Sequence, residues 1–166
     1  MFKPNMKLRR ITDITVELLN KKNIKGLILD VDNTLSTHHG MTLVDGLEEW
    51  IAEMEKSGIK LIILSNSKER RVKPFAEKIG LDYGSLGCKP LPFGYMKVRR
   101  RLGLKRKEIA TVGDQMFTDV MGGNLFGIKT VMTDLILAED KPSFKVRREL
   151  EKKFLKGMKV ENGYGC

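Results

Sequence analysis

The sequence predicts an α/β fold, a three-layer sandwich around a mainly parallel five-stranded sheet. Two observations lead there. Short apolar runs recur along the 166 residues. Between successive runs lies a polar stretch with the periodicity of an amphipathic helix. Strands separated by single helices pair in parallel through right-handed crossovers. The outcome is a doubly wound, Rossmann-like arrangement with helices on both faces, which binds ligands at the carboxyl ends of its strands.

The β-like runs are GLILD (26–30), KLIILS (60–65), IATVGD (109–114) and KTVMTD (129–134). DYGSLGC (82–88) is a fifth, diluted by its two glycines. Between them, residues 11–22 place Ile11, Ile14, Thr15, Leu18 and Leu19 on one helical face. Residues 45–57 do the same with Leu47, Trp50, Ile51 and Met54, and Gly58 reads as the stop. Residues 67–79 form a helix that either starts near Pro74 or bends there. Residues 92–102 and 115–126 complete the set.

The bulk properties narrow the class. The length is that of one domain, 1–166, and 41% hydrophobic residues suffice for a folded core. No apolar run reaches the ~18 residues of a membrane span, and no export signal opens the chain, so a cytoplasmic location is expected. Two isolated cysteines, Cys88 and Cys166, make neither a disulfide framework nor a zinc site. The net charge of +10 is patchy. Residues 97–107 carry seven basic and no acidic side chains, and residues 141–166 carry a net +5. Such patches suit polyanions, either acidic phospholipid or nucleic acid; a solvated basic surface is the plain alternative. The sequence implies no obligate protein partner.

The chemistry gathers where the runs end. After the first stand Asp30-Val31-Asp32-Asn33-Thr34, two carboxylates one residue apart. Close carboxylates repel unless a cation or a shared proton separates them; a capping turn is the simpler role. After the second stand Ser65, Asn66 and Ser67, a hydroxyl and backbone amides able to hold a phosphate oxygen or to cap the next helix. Lys89-Pro90 follows the third, offering a mobile positive charge. The fourth ends in Gly113-Asp114, with Asp119 five residues on. Gly113 permits close backbone approach. Oxygen-only ligation without nearby His or Cys suits a hard cation, Mg²⁺ first. Acid pair, hydroxyl, lysine and acid arrive at intervals of 35, 24 and 25 residues, each about one βα unit. Independent helix caps would not put a lysine in the third slot.

In DVDNT (30–34), LIILSNS (61–67), Lys89-Pro90 and GDQMFTDV (113–120) the chain resembles the haloacid dehalogenase (HAD) superfamily. DITVELL, CKPLPFG and GDQMFTDVMGGN bring it near the subclass III, YqeG-like phosphatases, which are related to mitochondrial phosphatidylglycerophosphate phosphatases. Leu125 departs from that subgroup, where a basic residue is common. The resemblance implies a phosphatase in which Asp30 is the nucleophile and Asp32 the general acid and base. It implies phosphoryl contacts from Ser65, Asn66, Lys89 and Thr34, with Thr34 also supporting the loop of the first motif. Asp30, the carbonyl of Asp32 and Asp114 would ligate Mg²⁺, supported by Gly113 and by Asp119, which would serve the metal site or orient Lys89.

The gaps between motifs hold no cap domain, so the site is expected to be open, which suits large or surface-bound phosphoesters. His38 and His39 lie in the loop after the first motif, as substrate contacts, proton shuttles or plain solvated residues. The basic tail carries Val146, Leu150, Phe154 and Met158 at a spacing of four. That stripe either packs on the domain or lies on an anionic membrane surface. The leading expectation is a phosphomonoesterase acting on phosphatidylglycerophosphate. The alternatives are a polynucleotide 3′-phosphatase and a non-catalytic module for RNA or ribosome assembly.

Overall fold

A computed structural model describes residues 2–36, 41–134 and 142–156. Six strands form one sheet in the order β1-β6-β5-β2-β3-β4: β1 (Met6–Leu8), β2 (Gly26–Leu29), β3 (Lys60–Leu64), β4 (Asp82–Gly84), β5 (Ile109–Gly113) and β6 (Lys129–Thr133). Every pairing is parallel. The expected five strands are all present. The sixth, β1, is a three-residue edge strand that pairs only with β6, Met6 against Val131.

Side-chain alternation sorts the core into two layers. On β2, Leu27 and Leu29 face one layer and Ile28 the other; on β3, Leu61 and Ile63 oppose Ile62 and Leu64. Burial on both faces explains why these strands are continuous apolar runs. One layer is filled by α2 (Leu47–Lys56) and α3 (Glu69–Ile79), through Trp50, Met54, Val72 and Phe75. The other holds α4 (Pro92–Leu102) and α5 (Met121–Phe126), through Tyr95, Val98 and Phe126.

Three helices differ from expectation. Residues 11–22 split into a 3-10 turn at Ile11–Asp13 and α1 (Val16–Lys21). Thr15 causes the break, turning extended to accept a hydrogen bond from the Leu18 amide as an N-cap. The helix α3 runs from Glu69 straight through Pro74 and so does not start there. Residues 115–126 begin as a π-helical turn, Met116–Val120, before α5. Such turns concentrate at functional sites, and this one presents Asp119.

The Gly122-Gly123 pair has a steric reason. A Cβ on Gly122 would lie 2.7 Å from Tyr95 Cε2 and 3.1 Å from the Cα of Pro90. Gly122→Ala is therefore expected to lower the unfolding free energy by about 1–3 kcal/mol, read as a lower urea midpoint at unchanged slope. A midpoint equal to wild type would show that α4 and the Lys89-Pro90 segment yield freely.

Helix α6 (Pro142–Leu155) corrects one reading of the tail. Val146 and Leu150 are 62% and 43% exposed, so these two positions of the stripe do not pack on the domain. The helix docks through polar residues instead. Glu151 is buried and accepts a hydrogen bond from the Met116 amide at 3.0 Å. The side chain of Phe154, and Met158, Cys166, His38 and His39 altogether, lie outside the described residues. The 97–107 patch is partly engaged. Arg99 donates to the Leu104 carbonyl, Arg101 pairs with Asp82, and Arg106 covers the Phe126 ring.

Candidate active site

β2 lies between β3 and β5, so chain order reverses on its two sides. The crevice at its carboxyl end is where a doubly wound sheet binds ligands. Asp30 stands there, its amide still in the ladder on the Val112 carbonyl at 2.9 Å. The chain then turns. The amides of Leu35 and Ser36 both reach the Val31 carbonyl, and Asn33 takes a left-handed conformation. Ser65 ends β3, and Asp114 follows β5. All of these side chains are buried, as are Lys89 and Asp119.

Lys89 ties the site together. Its Nζ donates to Asp30 Oδ1 at 2.8 Å and to Asp119 Oδ1 at 2.6 Å. Burial opposes its charge, but Asp119 and Asp30 outweigh burial and hold the ammonium above its usual range. Asn66 fixes the lysine's backbone. Its Nδ2 donates to the Lys89 carbonyl at 3.1 Å and its Oδ1 accepts from the Lys89 amide at 2.7 Å. Both polar ends of the Asn66 side chain thus hold the Lys89 backbone, and its amide nitrogen keeps a second hydrogen to donate. Ser65 Oγ accepts from the Ser67 amide at 3.1 Å and keeps its own hydroxyl proton to donate. Gly113 is required because a Cβ there would overlap the Asp119 carboxylate.

Asp30, Asp114 and Asp119 bring carboxylate oxygens within 4.8 Å of one another. Burial is the main cause that raises Asp30 to about 7, with Asp119 and Asp32 adding to it and Lys89 opposing. Asp114 is raised well above the ordinary range, by burial first and then by Asp30. The sequence-derived metal set named Asp32 through its main chain; its carboxylate pairs with Arg71. Thr34 is buried. Its buried Oγ1 has no hydrogen-bond partner, and it lines a separate cavity of about 380 Å³ with Arg9, Arg10 and Thr133.

Sequence reasoning missed two arginines. Arg71 meets Asp32 from the first turn of α3. Arg148, on α6, donates from Nη2 to Asp114 Oδ2 at 2.6 Å and from Nη1 to the Asp114 carbonyl at 2.7 Å, and Glu151 braces it at 2.8 Å. The i, i+3 pair Arg148/Glu151 is a sequence signal, but it is indistinguishable from a solvated helix face.

The arrangement fits a divalent cation. Asp114 Oδ1 is buried without a partner, and three acids share a space with no His or Cys donor among the described residues. Arg148 offsets Asp114 from the other side. Arg148→Met should therefore cost about 3–5 kcal/mol in metal-free protein, and added divalent cation should recover part of that loss, read from urea unfolding. Equal stability with and without Arg148 would show that Asp114 needs no partner.

Buried acids, one buried lysine and a strand-end serine around a switch-point crevice define an α/β hydrolase of phosphoric esters. Comparison with known proteins agrees. Residues 37–127 match the model of the haloacid dehalogenase-like hydrolases. The probable phosphatase YqeG of Bacillus subtilis is 35% identical over 158 residues, covering 95% of this chain and 92% of that protein. The chain belongs to the haloacid dehalogenase-like hydrolase family, and it is a phosphatase of the YqeG-like kind. Phosphatidylglycerophosphate phosphatase 1, chloroplastic/mitochondrial, of Arabidopsis thaliana is 28% identical, covering 92% of this chain and 47% of that protein. The fold is similar to that of the 4-nitrophenylphosphatase from Thermotoga maritima, with a TM-score of 0.61 at 12% identity over 76% of this chain and 91% of the other.

Proposed function

We propose that the chain is a Mg²⁺-dependent phosphomonoesterase that works through an aspartyl phosphate at Asp30, with phosphatidylglycerophosphate as substrate. The observation that carries the reading is the convergence of Asp30 and Asp119 on the buried ammonium of Lys89, beside Ser65 and Asp114. An Asp30 oxygen attacks phosphorus as the ester P–O bond breaks, and Asp32 gives its proton to the leaving oxygen. Asp32 then takes a proton from water, which attacks the same phosphorus and releases Asp30 and inorganic phosphate. Lys89 and the Ser65 hydroxyl neutralise and orient the equatorial oxygens throughout. Asp30, Asp114 and the Asp32 carbonyl would hold Mg²⁺, which when bound supplies further positive charge against the transferring group.

The lipid is favoured by the Arabidopsis relative and by the phosphatidylglycerophosphatase GEP4 of Saccharomyces cerevisiae, 27% identical over 75% of this chain. A lipid substrate needs a protein able to reach a membrane surface. Val146 and Leu150 are exposed on α6 next to Lys145 and Lys153, a basic amphipathic face suited to peripheral contact. We place the protein in the cytoplasm with that contact; flotation with anionic vesicles tests it, and no co-flotation at low salt would refute it. No helix among the described residues is long and apolar enough to cross a membrane.

The test of function is phosphate release from a panel containing phosphatidylglycerophosphate, glycerol 3-phosphate and a 3′-phosphorylated oligonucleotide. Release from the lipid, present with Mg²⁺ and lost on chelation, is expected. Turnover that ignores chelation would remove the metal from the account.

A further inference from the structure

A cavity of about 460 Å³ opens beside Asp32 and Ser65, between the first strand-end loop and α3. Its place gives it a meaning, on the reading of the site above. A general acid must touch the leaving oxygen, so the leaving group occupies the space that Asp32 faces. Ser65 lines the same space and ties it to the phosphoryl position.

Two arginines line this cavity against one acid. Arg71 pairs with Asp32 and donates to Ser67 Oγ at 3.3 Å. Arg70 lies beside it, exposed and in no hydrogen bond or ion pair with any described residue. Both belong to the first turn of an eleven-residue helix, whose dipole adds to their attraction for an anion. Arg71 spends two of its five N–H donors on Asp32 and Ser67 and keeps others for a ligand in the cavity. Guanidinium groups prefer planar, bidentate phosphate contacts. The rest of the wall is apolar, including Met41, Val72 and Phe75.

We propose that Arg70 and Arg71 form a recognition site for a second anion, a phosphodiester on the leaving group of the phosphomonoester. The apolar wall assigns the diester to a glycerophospholipid. Simple monoesters lack the diester that these arginines would hold, so they are expected to be poorer substrates.

The test compares dioctanoyl phosphatidylglycerophosphate with glycerol 3-phosphate in wild type, Arg70→Gln, Arg71→Gln and Arg71→Lys, with circular dichroism confirming each fold. Wild type should prefer the lipid, and each glutamine variant should lower the ratio of the two kcat/KM values by roughly tenfold, as expected for a lost charged hydrogen bond. Arg71→Lys should restore part of it. Calorimetry with dioctanoyl phosphatidylglycerol, which keeps the diester and lacks the monoester, gives a readout independent of turnover: it should bind wild type and bind Arg70→Gln at least fivefold more weakly. A ratio unchanged by the variants, or diester binding indifferent to both arginines, overturns the proposal. A 3′-phosphorylated oligonucleotide preferred over the lipid in an arginine-dependent way overturns the lipid as occupant. Failure to hydrolyse any ester while the diester still binds through these arginines would instead refute the phosphatase reading.

Discussion

Lys89→Met is expected to abolish phosphatase activity and to destabilise the fold at the same time. The ammonium is the shared partner of Asp30 and Asp119, and its side chain is almost fully buried. Methionine fills a similar volume but leaves three buried carboxylates within 4.8 Å of one another with only Arg148, among the described residues, to offset them. Breaking a buried ion pair from one side costs about 3–5 kcal/mol. The acids escape part of this by retaining protons, so the loss should be smallest at low pH and grow as pH rises toward neutrality. In catalysis the same change removes the positive charge facing the phosphoryl oxygens, worth on the order of 10²- to 10³-fold in kcat. Urea unfolding and phosphate release on one preparation check both. A stable, active Lys89→Met protein would mean that the lysine is only a surface charge near the site.

Asp30→Asn separates chemistry from stability. Asparagine keeps an oxygen to accept the Lys89 hydrogen bond but cannot form an acyl phosphate, so hydrolysis should fall by roughly 10⁴-fold or more. Stability should move the other way in metal-free protein. Burial, above all, raises Asp30 from 3.8 to about 7. Between those values the native state holds a proton that the unfolded chain has released. The unfolding free energy therefore falls as pH rises through that window. Asp30→Asn lacks this fall, so its advantage over wild type should grow from about pH 4 to about pH 7 and then level off. Thermal unfolding in chelator across that range measures it. A difference that shrinks with rising pH would place Asp30 in a charge-stabilising environment and contradict the crowding of acids described above.

The parts of the site legible in the sequence were those carried on the backbone. Asp30, Ser65 and Asp114 are strand-end positions, and Lys89 follows the weak strand at one more βα interval; the parallel topology brings such positions together whatever the helices between them contain. Gly113 and Gly122 were visible as glycines, but their reasons, the carboxylate of Asp119 and the ring of Tyr95, needed coordinates. Strand β1 was not legible because three residues have no periodicity, and their partner lies 125 residues away. Arg71 and Arg148 were hidden for a different cause. Both sit on helices rich in other cations, and only the docking of α3 and α6 selects which guanidinium reaches an acid. The tail's apolar spacing left packing and a membrane surface both open; the buried anchor is Glu151, and Val146 and Leu150 are left outward.

The central claim is that Asp30, Lys89, Ser65 and Asp114 form one pocket able to hold a phosphoryl group on Asp30 together with a divalent cation. Beryllofluoride mimics a phosphoryl group on a carboxylate, and its bound fluorines are visible by ¹⁹F NMR. The predicted result is a set of bound resonances in wild type that appears only when Mg²⁺ is added and is missing from Asp30→Asn. Bound resonances that persist in Asp30→Asn, or their absence from folded wild type at saturating Mg²⁺, would contradict it.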